Sequence, residues 1–325
     1  MTTELAVFEI CAGAGGQARG LELAGFTHEM AVEIDPNACE TLRRNRPAWN
    51  VHEGDVREVS GRELRGIDLL AGGVPCPPFS MAGKQLGQDD ERDLIPEMLR
   101  LVREAQPSAL LLENVRGLAS AKFADYRAEI LDELCRLGYH PEWQVINASE
   151  HGVPQLRPRF ILMAVKVRYA SKLAWPSPIA MPSTVGEALL PLMAREGWEG
   201  ARAWAKGANG IGPTLVGGSR KHGGADLGPT RARAAWLELG VDGSGVADLG
   251  PNRATPFGHI PRLTLQMAAR IQGFDKNWHF AGRKTAAYRQ IGNAFPPPVA
   301  RAIGGAIRGA LGAGSVGADS HLRAV

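Results

Sequence analysis

One cysteine of the sequence stands where it could act as a nucleophile. Cys76 lies in the segment GGVPCPPFS, which places two glycines and three prolines around it, after the apolar run IDLLA. Proline fixes the backbone and donates no hydrogen bond to a sheet, so this turn would hold the sulfur rigidly where a strand ends. The thiolate is the reactive form of cysteine, and an ordinary pKa of about 8.5 leaves little of it at neutral pH. The alternative is a buried, inert thiol in a stiff turn.

A carboxylate and an amide follow another apolar run. The stretch ALLLEN predicts a strand that ends at Glu113 and Asn114, at the same sheet edge as Cys76, because both follow β-like runs. Glu113 could serve as a general acid if burial raises its pKa, or it could simply cap a helix. The remaining cysteines form no CxxC pair and are expected to be free thiols: Cys11, Cys39 and Cys135.

A glycine-rich turn near the N-terminus predicts a ligand site. FEICAGAGG places Gly13, Gly15 and Gly16 where a strand passes into a helix, so the backbone can approach a ligand closely. Glu33 is predicted to end the second strand, and Asp55 to follow the next one. In nucleotide-binding sheets, an acid at the end of the second strand binds the ribose hydroxyls. The spacing GxGG, rather than GxGxxG, favours an adenosine ligand without a diphosphate. The alternative is a tight turn that needs glycine for steric reasons alone.

These residues belong to an alternation of β-like and helical stretches. The runs LAVFEI, THEMAVEI, GIDLLAGG, ALLLEN, EWQVINA and RFILMAV predict an α/β fold, with a mostly parallel sheet covered by helices on both faces. From about residue 168 to residue 260 the sequence is rich in Gly and Pro and shows little periodicity, which predicts loops on a small scaffold. We therefore expect a catalytic domain at 1–170, completed by 280–325, and a smaller domain at 171–279.

The composition is that of a soluble globular protein, with 44% hydrophobic and 22% charged residues. No apolar run reaches the roughly 18 to 20 residues of a membrane span and no secretory leader is visible, so we expect a cytoplasmic protein without membrane contact. The formal net charge is only +3, but residues 166–261 hold 11 Lys and Arg against 7 Asp and Glu. Four basic residues of this block alternate with glycines rather than following helix spacing: Arg220, Lys221, Arg231 and Arg233. Nucleic-acid contact and an ordinary solvated surface both fit that pattern.

The ordered motifs resemble those of the bacterial DNA cytosine-5 methyltransferase family, from Phe8 to about Gly304. They are FEICAGAGG, AVEIDP, GDV, GGVPCPPFS, ENVRG, QLRPR, RLTLQMAARIQGF and YRQIGNAFPPPVA. The resemblance implies a Rossmann-like methyltransferase sheet with a smaller target recognition domain. It also implies a type II modification enzyme of a restriction-modification system, which methylates carbon 5 of cytosine in a specific duplex sequence.

The resemblance implies S-adenosylmethionine as the cofactor, S-adenosylhomocysteine as the product, and no metal. Glu33 would bind the ribose, Asp55 and Val56 the adenine, and Asn293 and Ala294 the methionine end. The remaining cofactor-binding residues implied by these motifs are Ile10, Cys11, Ala12, Gly13, Gly15, Gly16, Ile34 and Pro75.

The resemblance also explains the need for a thiolate. Addition of Cys76 to carbon 6 of cytosine makes carbon 5 nucleophilic enough to attack the sulfonium methyl group. Glu113 would supply a hydrogen bond or a proton at N3, with Asn114 positioning it. In QLRPR, strand alternation would place Arg157 and Arg159 on one face. Arg159 would contact the base and Arg157 would support it, whereas a salt-bridged strand edge is the alternative.

A base inside a duplex is not accessible to this chemistry, so the resemblance implies that the cytosine is rotated out of the helix. The loop that follows Cys76 contains candidate DNA contacts at Ser80, Lys84 and Gln85. Further candidates in the recognition block are Arg220, Lys221, Arg231 and Arg233, which could read bases or hold phosphates. For each group, a surface without DNA contacts is the alternative.

Two other functions compete with this hypothesis. One is an RNA methyltransferase of the tRNA-modifying branch, although the Cys-Phe-Thr element of that branch is absent from the sequence. The other is a non-catalytic nucleic-acid-binding relative, which would not need to keep Cys76, Glu113 and Arg159 together. The expected partners are double-stranded DNA and a separately acting restriction endonuclease. We expect a monomeric bacterial protein, associated with the nucleoid through DNA.

Overall fold

The computed structural model describes residues 4–75, 93–179, 181–217 and 224–313. Six predicted site residues lie outside the described residues: Cys76, Ser80, Lys84, Gln85, Arg220 and Lys221. The strands are β1 (Leu5–Ile10), β2 (Phe26–Glu33), β3 (Val51–Glu53), β4 (Leu69–Gly72), β5 (Ala109–Val115), β6 (Tyr139–Asn147), β7 (Gln155–Leu156), β8 (Pro158–Lys166) and β9 (Gly212–Pro213). The helices are α1 (Gly16–Leu23), α2 (Pro36–Asn45), α3 (Ile95–Ala105), α4 (Ala124–Arg136), α5 (Val185–Met193), α6 (Ala201–Gly207), α7 (Thr230–Glu238), α8 (Leu265–Ile271), α9 (Lys284–Asn293) and α10 (Pro297–Ala310).

Seven strands form the central sheet, in the order β3-β2-β1-β4-β5-β8-β6. The strands from β3 to β5 pair in parallel, whereas β8 runs antiparallel to both β5 and β6. The short connection from Asn147 to Pro158 contains no crossover helix, so β6 and β8 pair as an antiparallel unit. The mostly parallel α/β sheet predicted from the sequence is confirmed, with β8 as the reversed strand.

Alternation along each inner strand divides the core into two layers. On β5, Leu111 belongs to the layer beneath α1 and α10, whereas Leu110 and Leu112 belong to the layer beneath α3 and α4. This period of two places hydrophobic side chains on both faces, as expected for a sheet covered by helices on both sides. The helices follow their own periodicity, since α10 buries Val299 and Ile303 in the first layer.

Local sequence fixes where the helices next to the site begin. Asp35 follows β2 and caps α2, because its Oδ1 atom accepts hydrogen bonds from the N–H groups of Asn37 and Ala38. Pro36 then occupies the first helical position, where its missing N–H costs no helical bond. Among the described residues, no helix combines the length and the apolar composition that crossing a bilayer requires.

Most of the described residues between 168 and 260 lie outside helices and strands, in agreement with the predicted loops on a small scaffold. This block contains α5, α6 and α7, and its buried side chains form a cluster that includes Trp198, Trp204 and Trp236. The helices are only 7 to 9 residues long and glycines separate them, so no long amphipathic period marks them in the sequence. Arg231 and Arg233, which stand two positions apart and so do not share one helical face, nevertheless both lie on α7.

Candidate active site

A cavity of about 640 Å³ opens at the carboxyl ends of the parallel strands. Its wall is built by the segments that follow β1, β2, β3 and β4, by the end of β5 and by α9. This edge is where open α/β sheets bind ligands, and the volume lies within the usual range for a small-molecule site. The predicted site residues that line the cavity are Cys11, Ala12, Gly13, Gly16, Glu33, Ile34, Asp55, Val56, Pro75, Glu113, Asn293 and Ala294.

The glycine turn forms one wall of the cavity. Its residues Gly13 and Gly15 have positive φ angles of 54° and 82°, and α1 starts directly after them. Gly16 permits a close approach, because a Cβ atom there would lie 2.2 Å from the carbonyl oxygen of Phe295. Two predicted cofactor residues do not line the cavity: the side chain of Ile10 is buried in the core, and Gly15 forms the N-cap of α1.

Glu33 braces this turn from the end of β2. Its Oε2 atom accepts a hydrogen bond of 2.7 Å from the N–H group of Gly13, and its Oε1 atom accepts bonds of 2.9 Å and 2.7 Å from those of Ile34 and Asp35. Burial raises the pKa of Glu33, while these three donors oppose that shift. The carboxylate is thus fixed in the cavity wall. The sequence predicts an acid that binds ribose, but it does not predict these hydrogen bonds to the glycine turn.

The segments after β2 and β3 provide an apolar and an acidic surface. Ile34 is 64% exposed although it is a large aliphatic side chain, and it lines the cavity together with Val56. Asp55 accepts a hydrogen bond from the N–H group of Arg57 and forms an ion pair of 2.9 Å with its guanidinium group. Burial, followed by the charge of Glu33, raises the pKa of the Cys11 thiol to about 12, so this cysteine is neutral in the cavity.

Helix α9 forms the wall opposite the sheet. The predicted residues Asn293 and Ala294 lie at its C-terminal end, and three unpredicted residues precede them in the cavity wall: Ala286, Arg289 and Gln290. Ala286 lies three, four and seven residues before Arg289, Gln290 and Asn293, so these four residues share one face of the helix. That spacing could have identified them once Asn293 was chosen.

Glu113 and Arg159 form an ion pair at the other end of the cavity. Arg159 Nε lies 2.9 Å from Glu113 Oε1, and the two side chains are 13% and 12% exposed. Burial raises the pKa of Glu113, and the charges of Arg159 and Arg157 oppose this shift. Burial also lowers the pKa of Arg159. A carboxyl group with a raised pKa can hold a proton under conditions in which an exposed one cannot.

The ends of β4 and β5 are joined side by side. Asn114 Nδ2 donates a hydrogen bond of 3.1 Å to the carbonyl oxygen of Val74, and Gly73 lines the cavity with Glu113. Pro75 also lines the cavity, and its carbonyl oxygen accepts a 3.3 Å hydrogen bond from the N–H group of Leu94. The described chain therefore ends at Pro75 and resumes close to Leu94, both of which line the cavity, whereas Cys76 itself lies outside the described residues.

Arg157 occupies a different environment from the one that strand alternation predicts. The segment QLRPR leaves the small sheet of β7 and β9 and enters β8 in the main sheet, so Arg157 belongs to neither strand. Its side chain is 1% exposed, and its Nη1 and Nη2 atoms donate to the carbonyl oxygens of Leu215 and Gly292. Arg157 therefore supports the site through the backbone, and its two outer nitrogens are already occupied.

The sheet order and the cavity define a class of protein, the α/β methyltransferases that use S-adenosylmethionine. Residues 5–191 and 227–309 match the family described as C-5 cytosine-specific DNA methylase. The chain belongs to this family and is a DNA cytosine-5 methyltransferase, as its motifs predict.

Relatives of known type cover most of the chain. It is 58% identical to the Type II methyltransferase M.NaeI of Lentzea aerocolonigenes, over 97% of this chain and 77% of the relative. It is 52% identical to the Type II methyltransferase M.NgoMIV of Neisseria gonorrhoeae, over 93% and 97% of the two chains. A solved structure of a putative DNA modification methyltransferase from an Escherichia coli prophage matches with a TM-score of 0.67 and 26% identity, over 95% of this chain and 100% of that chain.

Proposed function

We propose that this chain is the modification enzyme of a restriction-modification system, and that it methylates a cytosine rotated out of double-stranded DNA through a covalent bond to Cys76. The observation that carries the proposal is the single cavity that joins Glu33 to Glu113, with Pro75, the residue before Cys76, in its wall. The likeness to two Type II methyltransferases supports the modification role and a restriction endonuclease as a separate partner.

The cavity suits an adenosine ligand with an amino-acid end. Glu33 offers a fixed carboxylate for ribose hydroxyls, Ile34 an exposed apolar surface for a purine ring, and the start of α1 a set of N–H groups for a carboxylate. Asp55 and Val56 complete the purine end, and Asn293 and Ala294 the methionine end. When bound there, S-adenosylmethionine supplies the methyl group that is transferred, and S-adenosylhomocysteine is the product.

The reaction needs a nucleophile, an acid and an anchor. The Sγ atom of Cys76 adds to carbon 6, and the electron pair of the 5,6 double bond becomes available at carbon 5. Glu113, in its protonated form, donates to N3 and neutralises the charge that develops on the ring. Arg159 holds Glu113 and contacts the base. Carbon 5 takes the methyl group in place of its proton, which passes to water. The 5,6 double bond then re-forms, the thiolate of Cys76 leaves, and N3 returns its proton to Glu113.

A methyl-transfer assay tests the proposal. Purified protein is incubated with S-adenosylmethionine labelled in the methyl group and with duplex DNA of mixed sequence or tRNA, in parallel with Cys76→Ser. We expect label in duplex DNA with the wild type and none with the variant. Equal transfer by Cys76→Ser would overturn the covalent step, and label only in tRNA would establish the RNA alternative.

Bisulfite sequencing of DNA from an expressing host then identifies the target. We expect 5-methylcytosine at one position of one short sequence on both strands. A duplex with 5-fluorocytosine at that position tests the adduct, because fluorine at carbon 5 cannot leave as a proton does. A covalent protein–DNA complex that depends on both the cofactor and Cys76 is expected, and its absence would contradict the mechanism.

A further inference from the structure

Helix α9 has two faces with different surroundings. Tyr288 and Ile291 are buried in the core cluster that contains the tryptophans, and they anchor one face of the helix. The opposite face lines the cavity and carries Ala286, Arg289, Gln290 and Asn293. Arg289 is the charged residue of this face, and its side chain is half-buried. The cavity wall therefore includes a cation that the proposed function has not yet used.

Arg289 differs from its neighbour Gln290 in its hydrogen bonds. The Nε2 atom of Gln290 donates a bond of 2.8 Å to the carbonyl oxygen of Ala281, and its Oε1 atom accepts one of 2.6 Å from Thr41 Oγ1. Within the part of the chain that the structure describes, the guanidinium group of Arg289 has neither a hydrogen bond nor an ion pair. A guanidinium group presents five N–H donors and no acceptor. Gln290 thus holds α9 in place, whereas the donors of Arg289 are available to a ligand.

The other charged side chains that line the cavity have partners. Two of the acids accept hydrogen bonds from backbone N–H groups and two pair with arginines: Glu33, Asp35, Asp55 with Arg57, and Glu113 with Arg159. Arg289 is therefore the charge of the described cavity wall that lacks a counter-ion. Burying a charge is unfavourable unless it is paired, so an anion bound in the cavity would stabilise this side chain.

The end of α9 lies against the start of α1. A Cβ atom at Gly16 would lie 3.1 Å from the Cβ atom of Ala294 and 2.2 Å from the carbonyl oxygen of Phe295. The first N–H groups of a helix have no partner within it and favour anions. Arg289 precedes Asn293 by one helical turn, which is about 6 Å along the axis. Two positive groups, the start of α1 and the guanidinium group of Arg289, thus flank this part of the cavity.

We propose that Arg289 binds the carboxylate at the amino-acid end of the cofactor and selects cofactors that carry this group. S-adenosylmethionine has one anionic group, and that group is this carboxylate. The planar guanidinium group matches a carboxylate with two parallel hydrogen bonds. The inference rests on the proposed function, because it needs S-adenosylmethionine in this cavity. Arg289 is a binding residue and takes no part in proton transfer.

Two ligands that differ by one group test the inference. They are S-adenosylmethionine and its decarboxylated form, which keeps the adenosine, the sulfonium and the ammonium groups. Their dissociation constants are measured without DNA. Arg289→Gln should lower the affinity for S-adenosylmethionine about 10-fold to 100-fold, the effect of losing hydrogen bonds to a charged group, and should leave the affinity for the decarboxylated form unchanged. Arg289→Lys should show a smaller loss, because it keeps the charge but not the planar fork.

Arg283→Gln is the matched control. It removes the same charge from the residue that caps α9, and Arg283 is exposed and does not line the cavity. Both affinities should equal those of the wild type. If Arg289→Gln weakens both ligands equally, Arg289 supports the cavity rather than the carboxylate, and the inference is wrong. It is also wrong if Arg289→Gln binds S-adenosylmethionine normally but lowers the slope of log DNA affinity against log salt by about 0.9, since Arg289 would then hold a phosphate.

A second measurement uses the wild type alone and so does not depend on a variant that folds. Phenylglyoxal reacts with guanidinium groups, and mass spectrometry of peptides gives the rate of reaction at Arg289. S-adenosylmethionine should slow this reaction, and the decarboxylated form at equal occupancy should slow it less. Arg283 should react at one rate with and without either ligand. Equal protection of Arg289 by both ligands, or none by either, would contradict the inference.

The two proposals fail in different ways. A wild type that methylates duplex DNA, but binds S-adenosylmethionine and its decarboxylated form equally well, overturns the role of Arg289 and leaves the proposed function standing. A wild type that binds no S-adenosylmethionine overturns the proposed function itself.

Discussion

Two buried carboxylates at the same sheet edge differ in what surrounds them. Glu33 accepts hydrogen bonds from three backbone N–H groups, those of residues 13, 34 and 35, so both of its oxygens are fixed by the backbone. Glu113 has no such donors in the described residues, and its Oε1 atom faces the guanidinium group of Arg159. Burial raises the pKa of both. A carboxylate fixed by the backbone suits binding, whereas one opposed by a movable charge suits proton transfer.

The same contrast separates the two halves of the site. On the cofactor side, side chains bind the turn or helix that follows their own strand, as Glu33 and Asp35 do. On the catalytic side, the contacts join distant parts of the chain, such as Arg157 with Leu215 and Gln155 with Gln272. On the cofactor side, the hydrogen bonds of Glu33 and Asp35 come from the first two βα units, although α9 closes the opposite wall. The second half forms only when the chain around residues 215 and 272 has packed beside residues 155–157.

The largest effect is expected from Glu113→Gln, which removes the carboxyl group that is proposed to protonate N3 of cytosine. Glu113→Gln keeps a side chain of the same shape and a neutral hydrogen-bond donor, but it cannot transfer a proton to N3. General acid catalysis contributes roughly 100-fold to 10,000-fold, so we expect kcat to fall by about that factor. The dissociation constant of S-adenosylmethionine should stay within about threefold of the wild type. Single-turnover methyl transfer and equilibrium binding measure the two quantities.

The outcome that would erase the contrast is a Glu113→Gln variant with normal kcat and weakened cofactor binding. Glu113 would then be a binding group like Glu33. A thermal unfolding scan controls for folding, because Glu113→Gln removes one charge of the buried ion pair between Glu113 and Arg159.

The pH dependence of kcat should sharpen the same contrast. Because burial raises the pKa of Glu113, its protonated form persists above the range of an exposed glutamate, and it is lost as pH rises through the shifted pKa. Cys76 must lose its proton, which favours higher pH. The wild type should therefore give a bell-shaped profile that falls on the alkaline side, whereas Glu113→Gln should rise with pH and level off. An alkaline fall that persists in the variant would contradict the role of Glu113.

A smaller effect is expected at the cofactor carboxylate. In Glu33→Gln the amide presents one oxygen and one NH2 group. The NH2 group then faces a backbone N–H group that donates to a carboxylate oxygen in the wild type, so that hydrogen bond is lost. Hydrogen bonds to a charged group contribute roughly 1.5 to 3 kcal/mol, so affinity for S-adenosylmethionine should fall about 10-fold to 100-fold. At saturating cofactor kcat should change only a few-fold.

The matched control is Glu53→Gln, because Glu53 pairs with Glu33 in the register of β2 and β3 but points to the exposed Arg43 and does not line the cavity. Its affinity for the cofactor should equal that of the wild type. Equal losses in both variants would mean that the negative charge of this edge, and not the brace at the glycine turn, determines binding.

The sequence predicts the cofactor half well because its signals are local. The turn at Gly13, the acid at Glu33 and the helix that starts after Asp35 lie within two consecutive βα units, and strand and helix periods mark their surroundings. Sequence proximity also leads to Glu113 and Asn114, since both end an apolar run. The bracing of the turn by Glu33 is harder to predict, because it depends on which way the carboxylate rotates.

The sequence does not reveal the short helices of residues 168–260, because their order comes from packing. α5, α6 and α7 are short and cover a core of tryptophans, and neither feature has a period that a sequence displays. Arg157 lies in a motif that suggests alternation, yet the chain changes sheets at that residue. Its partners at residues 215 and 292 are 58 and 135 positions away, and local pattern cannot identify contacts of that range.

The smallest effect should separate two arginines that the sequence treats as equivalent. Residues two positions apart on a helix point to nearly opposite sides, so Arg231 and Arg233 of α7 cannot both face one DNA strand. Arg231 is exposed, whereas Arg233 is half-buried, contacts Thr230 Oγ1 and packs beside Gly243. If Arg231 holds a phosphate, Arg231→Ala should lower the slope of log affinity against log salt by about 0.9, and Arg233→Ala should leave the slope unchanged. Salt titrations of binding to target duplex measure both slopes. Equal decreases in the two variants would mean that DNA does not contact one face of α7. The basic residues of α7 would then act as an ordinary charged surface, which is the alternative that their pattern in the sequence also allows.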